Sequence, residues 1–456
     1  MWVVFGYFGF FDLGLGRATT KFIAEALGKG ETHKIPQYLW TTAAFQVVLG
    51  LAGALALILM TPLLVEKILN IPTAFIGETK LTFYLIAWAL PVTILSMSFR
   101  GALEAGQRFD LVNAVKVPAS AAFYLLPLIG VWMGMNLPGI VVLLIVSRVL
   151  ALLAWVWLCY RVFPDLRKPI AFYKEAVRPL LSFGGWVALS GVIWPVIASI
   201  DRLFIGSLLT MESVSFYSAP YEVVMRLGII PGSLAMTLFP AFSHLDGRRE
   251  LRQTQVLYGR STKYLLIASV AVAMPLILFA RPIMGIWLGH DFARQSSLVF
   301  QILAFGFLLN SLSSIPFGYL QAVGRADLPT KVQMIELIAY VPILWMLVKW
   351  QGIVGAAVAW TLRVSAEMFL LFFAARKTGK MDLSGLKSNG TLRTIPVILG
   401  VSAAGFLPFH GPWKVPGMVV LYAIFLSILW FVGFDRNERD WMRNRTRNIL
   451  IKQEGS

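Results

Sequence analysis

Long apolar stretches follow one another along almost the whole chain, and they constrain the fold more than any other feature. A helix of about 20 apolar residues is long enough to cross a bilayer. Thirteen stretches of the 456-residue chain fit this length: 1–27, 37–64, 81–103, 111–134, 139–160, 180–206, 214–242, 262–285, 297–320, 330–349, 353–375, 394–410 and 415–434. The sequence therefore predicts an all-α integral membrane protein with about thirteen spans.

Composition excludes a soluble protein of this length. Charged residues make up only 14% and hydrophobic residues 58%, whereas a soluble domain has roughly 25% charged residues. The single cysteine, Cys159, excludes a disulfide within the chain and any multi-cysteine metal site. The four histidines are scattered in or near loops, and we expect no metal, no cofactor and no catalytic pair.

The distribution of Lys and Arg predicts the orientation. Alternate loops on one side, together with the C-terminal tail, hold 26 of the 40 Lys and Arg, and the opposite loops hold six. Basic loops stay on the cytoplasmic side. We therefore expect a multi-pass protein of the cell (inner or plasma) membrane with a cytoplasmic C-terminus, and the net charge of +17 indicates topology and no nucleic-acid partner.

An odd number of spans then places Met1 outside, where it opens directly into an apolar helix without a basic flank. We expect from this that one helix upstream is lacking.

An internal repeat indicates two related halves. Residues 101–111 and 318–328 are identical at six of eleven positions, at an offset of 217 residues. Parallel repeats of this kind are a transporter architecture in which the site lies between the halves; the alternative is chance similarity of two Gly/Arg/Asp turns. We predict an N-terminal lobe of five helices over 1–162, a C-terminal lobe of six over 163–378, and two extra helices with a basic tail over 379–456.

Several segments resemble a known family. They are Phe-Asp-Leu-Gly-Leu-Gly-Arg at 11–17 with its continuation to 25, Ser-Phe-Gly-Gly at 182–185, Ser-Ile-Asp-Arg-Leu-Phe-Ile-Gly at 199–206, and Val-Ser-Phe-Tyr-Ser-Ala-Pro-Tyr at 214–221. The chain resembles, over about 1–435, the O-antigen and polysaccharide flippases of the multidrug/oligosaccharidyl-lipid/polysaccharide exporter superfamily. The resemblance implies fourteen helices, the first lacking here, and movement of an undecaprenyl-diphosphate-linked oligosaccharide to the outer leaflet.

Eight cations lie inside the predicted spans, where ionisable groups are expensive and mark functional or hydrated interiors. Lys21, Arg100 and Lys116 are within snorkelling reach of the cytoplasmic face, and Arg202 is near the outer face. The four near mid-helix are the candidate headgroup contacts: Arg17, Arg148, Arg226 and Arg363. Arginine offers phosphate a planar, bidentate set of donors and stays charged at depth.

Local pairing is the alternative role for these arginines. Glu222 with Arg226, and Arg363 with Glu367, are each spaced i,i+4 on one helix.

The acids inside the spans are candidates for proton or sodium coupling, namely Asp12, Glu222 and Glu367. For Asp201 a salt bridge near the outer interface is the favoured interpretation, and for Glu336 a partner such as Lys116 or a polar neighbour.

The sequence predicts a flippase that works by alternating access. Its partners would be the lipid-linked oligosaccharide, membrane lipids and polysaccharide polymerase machinery. The competing interpretations are a multidrug/cation antiporter of the same superfamily, a membrane-embedded glycosyltransferase or ligase, and a structural membrane protein. An excess of intramembrane positive charge argues against the antiporter, and loops of only about 20 residues argue against the enzyme.

Overall fold

The computed structural model describes residues 12–379 except Asn70, Pro169 and Ala171, and also Met381, Lys414–Gly433 and 438–440. These residues form α-helices joined by short turns, and no strand occurs among them. The helices are α1 (Leu15–Lys29), α2 (Ile35–Leu63), α3 (Ile76–Ala105), α4 (Phe109–Trp132), α5 (Leu137–Val162), α6 (Lys174–Leu208), α7 (Met211–Arg226), α8 (Ile229–Gly247), α9 (Leu251–Leu278), α10 (Ala280–Leu288), α11 (His290–Gln295), α12 (Ser297–Ala322), α13 (Asp327–Gly379) and α14 (Lys414–Gly433).

The predicted all-α membrane fold is confirmed. Within the described residues, nine helical stretches are long and apolar enough to cross a membrane. One of them, Asp327–Thr378, contains the two predicted spans 330–349 and 353–375, which meet at a kink where Gly352 has φ 59° and ψ −136°. The predicted span 394–410 and the first eleven residues of 1–27 lie outside the described residues.

The connection between the predicted spans 214–242 and 262–285 is largely helical. Helix α8 continues to Gly247 and α9 already begins at Leu251, so the basic residues Arg252, Arg260 and Lys263 lie on a helix. The predicted span 214–242 is also two helices, α7 and α8, separated at 227–228. The apolar pattern does not reveal these ends, because polar residues extend a helix into water without changing its backbone.

Short local signals set several helix ends. Leu13 and Gly14 have φ 48° and 71°, which ends the preceding turn and lets α1 begin. Helix α1 stops at Gly30, whose φ of 74° suits a C-terminal glycine. Before α5, the Asn136 Oδ1 accepts a hydrogen bond from the Gly139 amide at 3.1 Å and so satisfies one of the free amides of the first turn.

The two copies of the repeat have the same turn. Arg108 makes a two-pronged contact to Asp110 at 3.0 and 2.8 Å, and Arg325 makes the same contact to Asp327 at 3.0 and 3.3 Å. The hydrogen bonds to these carboxylates raise the pKa of both guanidinium groups. The residue before each arginine has a positive φ, 55° at Gln107 and 81° at Gly324. A chance match would not be expected to repeat this geometry.

The chain divides into two compact units. The first extends to Val192 and adds Thr237–Glu250 and Gln321–Thr330, whereas the second comprises Ile193–Met236, Leu251–Leu320 and the residues from Lys331 onward. In the first unit apolar side chains of α3 pack against α1, α2, α4 and α5. In the second, α9, α12 and α13 share one large apolar core with α6 and α7. The predicted domain boundaries at 162 and 378 stay predictions.

Helices α1 and α8 make a close backbone contact inside the first unit. A Cβ atom added to Gly28 would lie 2.1 Å from the His244 carbonyl oxygen, and one added to Gly247 would lie 2.4 Å from the Glu25 carbonyl oxygen. Small residues of this kind let the backbones of membrane helices touch. Any side chain larger than hydrogen at either position would therefore separate the two helices.

Candidate functional site

A cavity of about 340 Å³ lies between α3, α4 and α5 in the first unit. Its lining residues are Thr93, Ser96, Met97 and Arg100 of α3, Lys116, Ala119, Ser120, Phe123 and Tyr124 of α4, and Leu144, Ser147, Arg148, Ala151 and Trp155 of α5. This lining contains three cationic side chains and no Asp or Glu. The cavity is therefore electrostatically suited to an anion.

The three cations have different surroundings. Arg148 donates from Nη1 to the Thr93 hydroxyl at 2.9 Å, and its guanidinium carbon is 5.5 Å from the centre of the Phe123 ring. Arg100 places its Nε 3.2 Å from Oε1 of Glu104, one turn further along α3. Lys116 is exposed and is close enough to interact electrostatically with Glu104. Counting Glu104, the site has two more positive charges than negative ones.

Hydrogen-bond donors outnumber acceptors in this cavity. The indole Nε1 of Trp155 is buried and has no hydrogen-bond partner among the described residues. The Thr93 and Ser96 hydroxyls each donate to a carbonyl oxygen of their own helix, at 2.8 and 2.7 Å. A buried donor without a partner costs about 1–3 kcal/mol, and an acceptor that reached this indole nitrogen would recover that free energy.

Arg17 and Asp12 lie near the start of α1 in the same unit. The guanidinium carbon of Arg17 is 4.6 Å from the centre of the Phe239 ring, and its buried Nε has no hydrogen-bond partner among the described residues. Asp12 is buried; its carboxylate accepts from the Gly16 amide at 3.0 Å and from Gln46 Nε2 at 2.5 Å. These contacts place a negative charge at the N-terminus of α1, where the helix dipole stabilises it.

In the second unit, Arg363 lies between two carboxylates of α13. Its Nη1 is 3.2 Å from Glu336 Oε2 and 3.4 Å from Glu367 Oε2. The i,i+4 pairing predicted for Glu367 is thus present, and Glu336, for which Lys116 was one expected partner, pairs with Arg363. Glu336 is only 4% exposed, and its Oε1 has no hydrogen-bond partner among the described residues. Arg363 is therefore neutralised, with a carboxylate in excess.

The remaining predicted residues have other partners. Glu222 is exposed, and its Oε1 is 3.4 Å from Arg202 Nη2, so its ion pair is with Arg202 and the predicted pairing with Arg226 is wrong. Arg226 is the last residue of α7 and is exposed. Asp201 is buried and accepts from the Tyr217 hydroxyl at 2.5 Å and from the Arg202 amide at 2.9 Å.

A second cavity of about 920 Å³ lies at one end of the first unit, next to the Gln107–Arg108 turn. It also contains basic residues, but most of them have acidic partners: Lys168 is 2.7 Å from Asp165, and Arg108 is bound to Asp110. Neutralised cations attract an anion weakly, so the smaller cavity is the better anion site.

The structure thus places Arg148 in the same cavity as Arg100 and Lys116. From the sequence we had assigned Arg148 to the middle of the membrane and the other two to its cytoplasmic side. Helical spacing was the signal that could have found them. Polar residues recur at 93, 96 and 100 on α3 and at 116 and 120 on α4, three or four positions apart on one face. Trp155 carried no such signal, because an indole in an apolar span is ordinary.

Comparison with known proteins identifies the relatives of this chain. A family model described as "Polysaccharide biosynthesis protein" matches residues 3–246, and the MatE family model matches residues 187–346. The chain is 29% identical over 367 residues to a Shigella flexneri protein named "Putative O-antigen transporter", with 80% of this chain and 86% of that protein covered. It is 24% identical over 404 residues to the "Probable low-salt glycan biosynthesis flippase" of Haloferax volcanii, with 86% and 80% covered.

The fold is also found among solved structures. The Vibrio cholerae MATE transporter VcmN in its bent form superposes with a TM-score of 0.71 at 17% sequence identity, covering 83% of this chain and 87% of that one. At this identity the likeness concerns the fold alone.

Proposed function

This chain belongs to the polysaccharide biosynthesis protein family, and on that premise we propose that it translocates a polyprenyl-diphosphate-linked oligosaccharide from the cytoplasmic to the outer leaflet. The relatives named for O-antigen transport and for glycan flipping support this substrate class. The proposed activity is transport by alternating access, without an enzymatic reaction and without a cofactor.

The observation that carries the proposal is the sign of the charge inside the first unit. Helices α1 to α5 carry eight Lys and Arg, among them Arg17, Arg100, Lys116 and Arg148, against four Asp and Glu. Charges at membrane depth are costly unless they are paired or serve a ligand. A surplus of cations favours an anionic headgroup and disfavours a cationic drug, which is the cargo of the competing antiporter.

Arg17, Arg148, Arg226 and Arg363 remain the proposed headgroup contacts. They are not equivalent, because Glu336 and Glu367 neutralise Arg363 in this conformation, whereas Arg148 lines a cavity without acids. We expect Arg148 to contribute most, and Arg363 to bind a phosphate only if its carboxylates are protonated or move away.

The acids of the second unit support a role for a cation in the cycle. Two carboxylates share Arg363, so one negative charge remains uncompensated in a low-dielectric interior unless a proton or a metal cation joins it. We therefore propose Glu367, together with its neighbour Glu336, as the leading candidate for ion coupling. Asp12 is a weaker candidate for ion coupling because its carboxylate already accepts hydrogen bonds from Gly16 and Gln46. Glu222 is weaker because it is exposed.

The basic loops and tail support a cytoplasmic C-terminus in the inner or plasma membrane. In this orientation the substrate would be taken from the enzymes that build it in the cytoplasm and passed to polymerase machinery outside. Membrane lipids complete the set of proposed partners.

The direct test is translocation by the purified protein in lipid vesicles. A fluorescent lipid-linked oligosaccharide should become accessible to an impermeant quencher in both leaflets only when the protein is present. Arg→Ala variants at the four arginines, normalised to protein level, should be slower, by about 10-fold or more where the side chain binds phosphate. Unchanged rates in all four variants, or cation-driven export of a cationic drug without lipid translocation, would reject the proposal.

A further inference from the structure

The cavity between α3, α4 and α5 is lined by three cationic side chains, and it lies within the first unit. Every residue of its lining lies between Thr93 and Trp155, so no residue of the second unit is needed to complete it. We propose that this cavity is a diphosphate-binding site built entirely within the first unit, with Arg100, Lys116 and Arg148 as its cations and Trp155 as a neutral donor. The inference rests on the proposed function and deepens it.

Charge matching supports a diphosphate esterified at both ends. Such a group has two negative charges, and the three cations with Glu104 beside Arg100 leave a net charge of +2. A carboxylate or a single phosphodiester would leave positive charge uncompensated at depth.

Donor geometry supports the same ligand. Two guanidinium groups can each form a pair of charge-assisted hydrogen bonds to phosphate oxygens. The Thr93 hydroxyl holds Arg148 in place from one side through its 2.9 Å hydrogen bond. The buried indole Nε1 of Trp155, which has no hydrogen-bond partner among the described residues, supplies a further donor to an oxygen atom. No lining residue offers the carboxylate that a cationic ligand would require.

The position of the cations along their helices suits a headgroup that enters from one side. Lys116 lies seven residues after the start of α4 and Arg100 five residues before the end of α3, within about 10 Å of the adjoining turn at 1.5 Å per residue. Arg148 lies 14 residues before the end of α5, or about 21 Å along the helix. The exposed Lys116 would meet the diphosphate first, and Arg148 would hold it at greater depth.

Isothermal titration calorimetry of inorganic pyrophosphate into the purified protein in detergent tests the site without requiring translocation. We expect one site per chain. Arg100→Gln and Arg148→Gln should each weaken binding by about 10-fold or more, the range for hydrogen bonds to charged groups. Trp155→Phe, which keeps the ring and removes the N–H, should weaken it measurably. Lys116→Gln should also weaken binding. Because Lys116 is exposed, this variant should fold normally even if a variant at a buried position does not.

Arg161→Gln is the matched control, because Arg161 is an exposed cation on the same helix as Arg148 and lies outside the cavity. It should leave binding unchanged. Equal weakening by Arg161→Gln, or unchanged affinity in Arg100→Gln and Lys116→Gln, would overturn the site.

Two further ligands separate a lipid source from a soluble one. A short-chain polyprenyl-diphosphate-linked sugar, a diester with two negative charges, should bind at least as tightly as UDP-glucose if the site serves a lipid-linked diphosphate. Tighter binding of UDP-glucose, a soluble diester of the same charge, would overturn the lipid assignment.

The translocation assay distinguishes the two proposals. Normal translocation by Arg100→Gln would reject this site and leave the proposed function in place. Pyrophosphate binding that depends on these residues, without translocation of the lipid-linked sugar, would keep the site and reject the function.

Discussion

Arg363, Glu336 and Glu367 form a buried charged cluster in the second unit. All three are at most 11% exposed, so their charges are stabilised mainly by one another. Removing one partner of a buried ion pair leaves an uncompensated charge and typically costs 3–5 kcal/mol. The stability of the fold there therefore depends on the charge balance of these three groups.

We predict that Arg363→Gln lowers the free energy of unfolding by about 3 kcal/mol, because it leaves Glu336 and Glu367 without their cation. The double variant Arg363→Gln/Glu367→Gln should recover part of this loss, since it removes one of the two unpaired carboxylates. Thermal unfolding in detergent measures both. A double variant as unstable as the sum of the two single variants would show that the three groups do not act as a unit.

At the scale of elements, the contact between α1 and α8 depends on two glycines. Gly28 and Gly247 each approach a carbonyl oxygen of the other helix. The contact therefore has almost no room for a side chain, and it can form only when both positions are glycine.

Gly28→Leu and Gly247→Leu should hold α1 and α8 apart, because the added atoms would overlap the facing backbone. We expect such variants to increase thiol labelling of a cysteine placed at Ala24, a buried position of α1, in a Cys159→Ser background. Gly191→Leu is the matched control, since a Cβ at this helical glycine meets nothing within 4 Å. Equal labelling in Gly28→Leu and Gly191→Leu would contradict the prediction.

Polar contacts join α9 to α14 and to Glu438, which follows α14 in the chain. The Tyr422 hydroxyl donates to the Ala271 carbonyl oxygen at 2.8 Å. Beyond the helix, Glu438 accepts from the buried Lys263 and from Tyr264, both at 2.7 Å. The chain after α14 is thus bound to the second unit through a buried cation.

Glu438→Gln should loosen this attachment, because the amide cannot neutralise Lys263. We expect faster hydrogen exchange in α14 and a loss of roughly 1–3 kcal/mol, below the range for fully buried pairs since Glu438 is 23% exposed. Asp440→Asn, at an exposed neighbouring position, is the control and should change neither quantity. Equal rates of hydrogen exchange in α14 of the two variants would argue against a stabilising role for the contact between Glu438 and Lys263.

At the scale of the whole molecule, orientation is the property that the basic loops predict. Single cysteines replacing Lys168 and Arg249, in a Cys159→Ser background, should resist an impermeant thiol reagent added outside intact cells. A cysteine replacing Lys67, which is exposed in an opposite connection, should react. Labelling at either of the first two positions would reverse the assigned topology.

The sequence by itself located most of the described membrane helices, because the thickness of a bilayer requires about 20 consecutive apolar residues in each spanning helix. It also determined the repeated turn, since an Arg and an Asp two residues apart make the same local contact in both copies. Both properties depend on residues close together in the chain.

Only the tertiary structure decided the partners of the charges and the place of the cavity. Helical spacing allows Arg363 to reach Glu367 four residues away, but its contact with Glu336, 27 residues earlier, depends on how α13 folds back at Gly352. Likewise, the sequence shows that α3, α4 and α5 each have polar residues on one face. That these faces line the same cavity depends on how the three helices pack. The periodicity of polar residues shows which face of a helix is polar, but it does not show which other helix that face will contact.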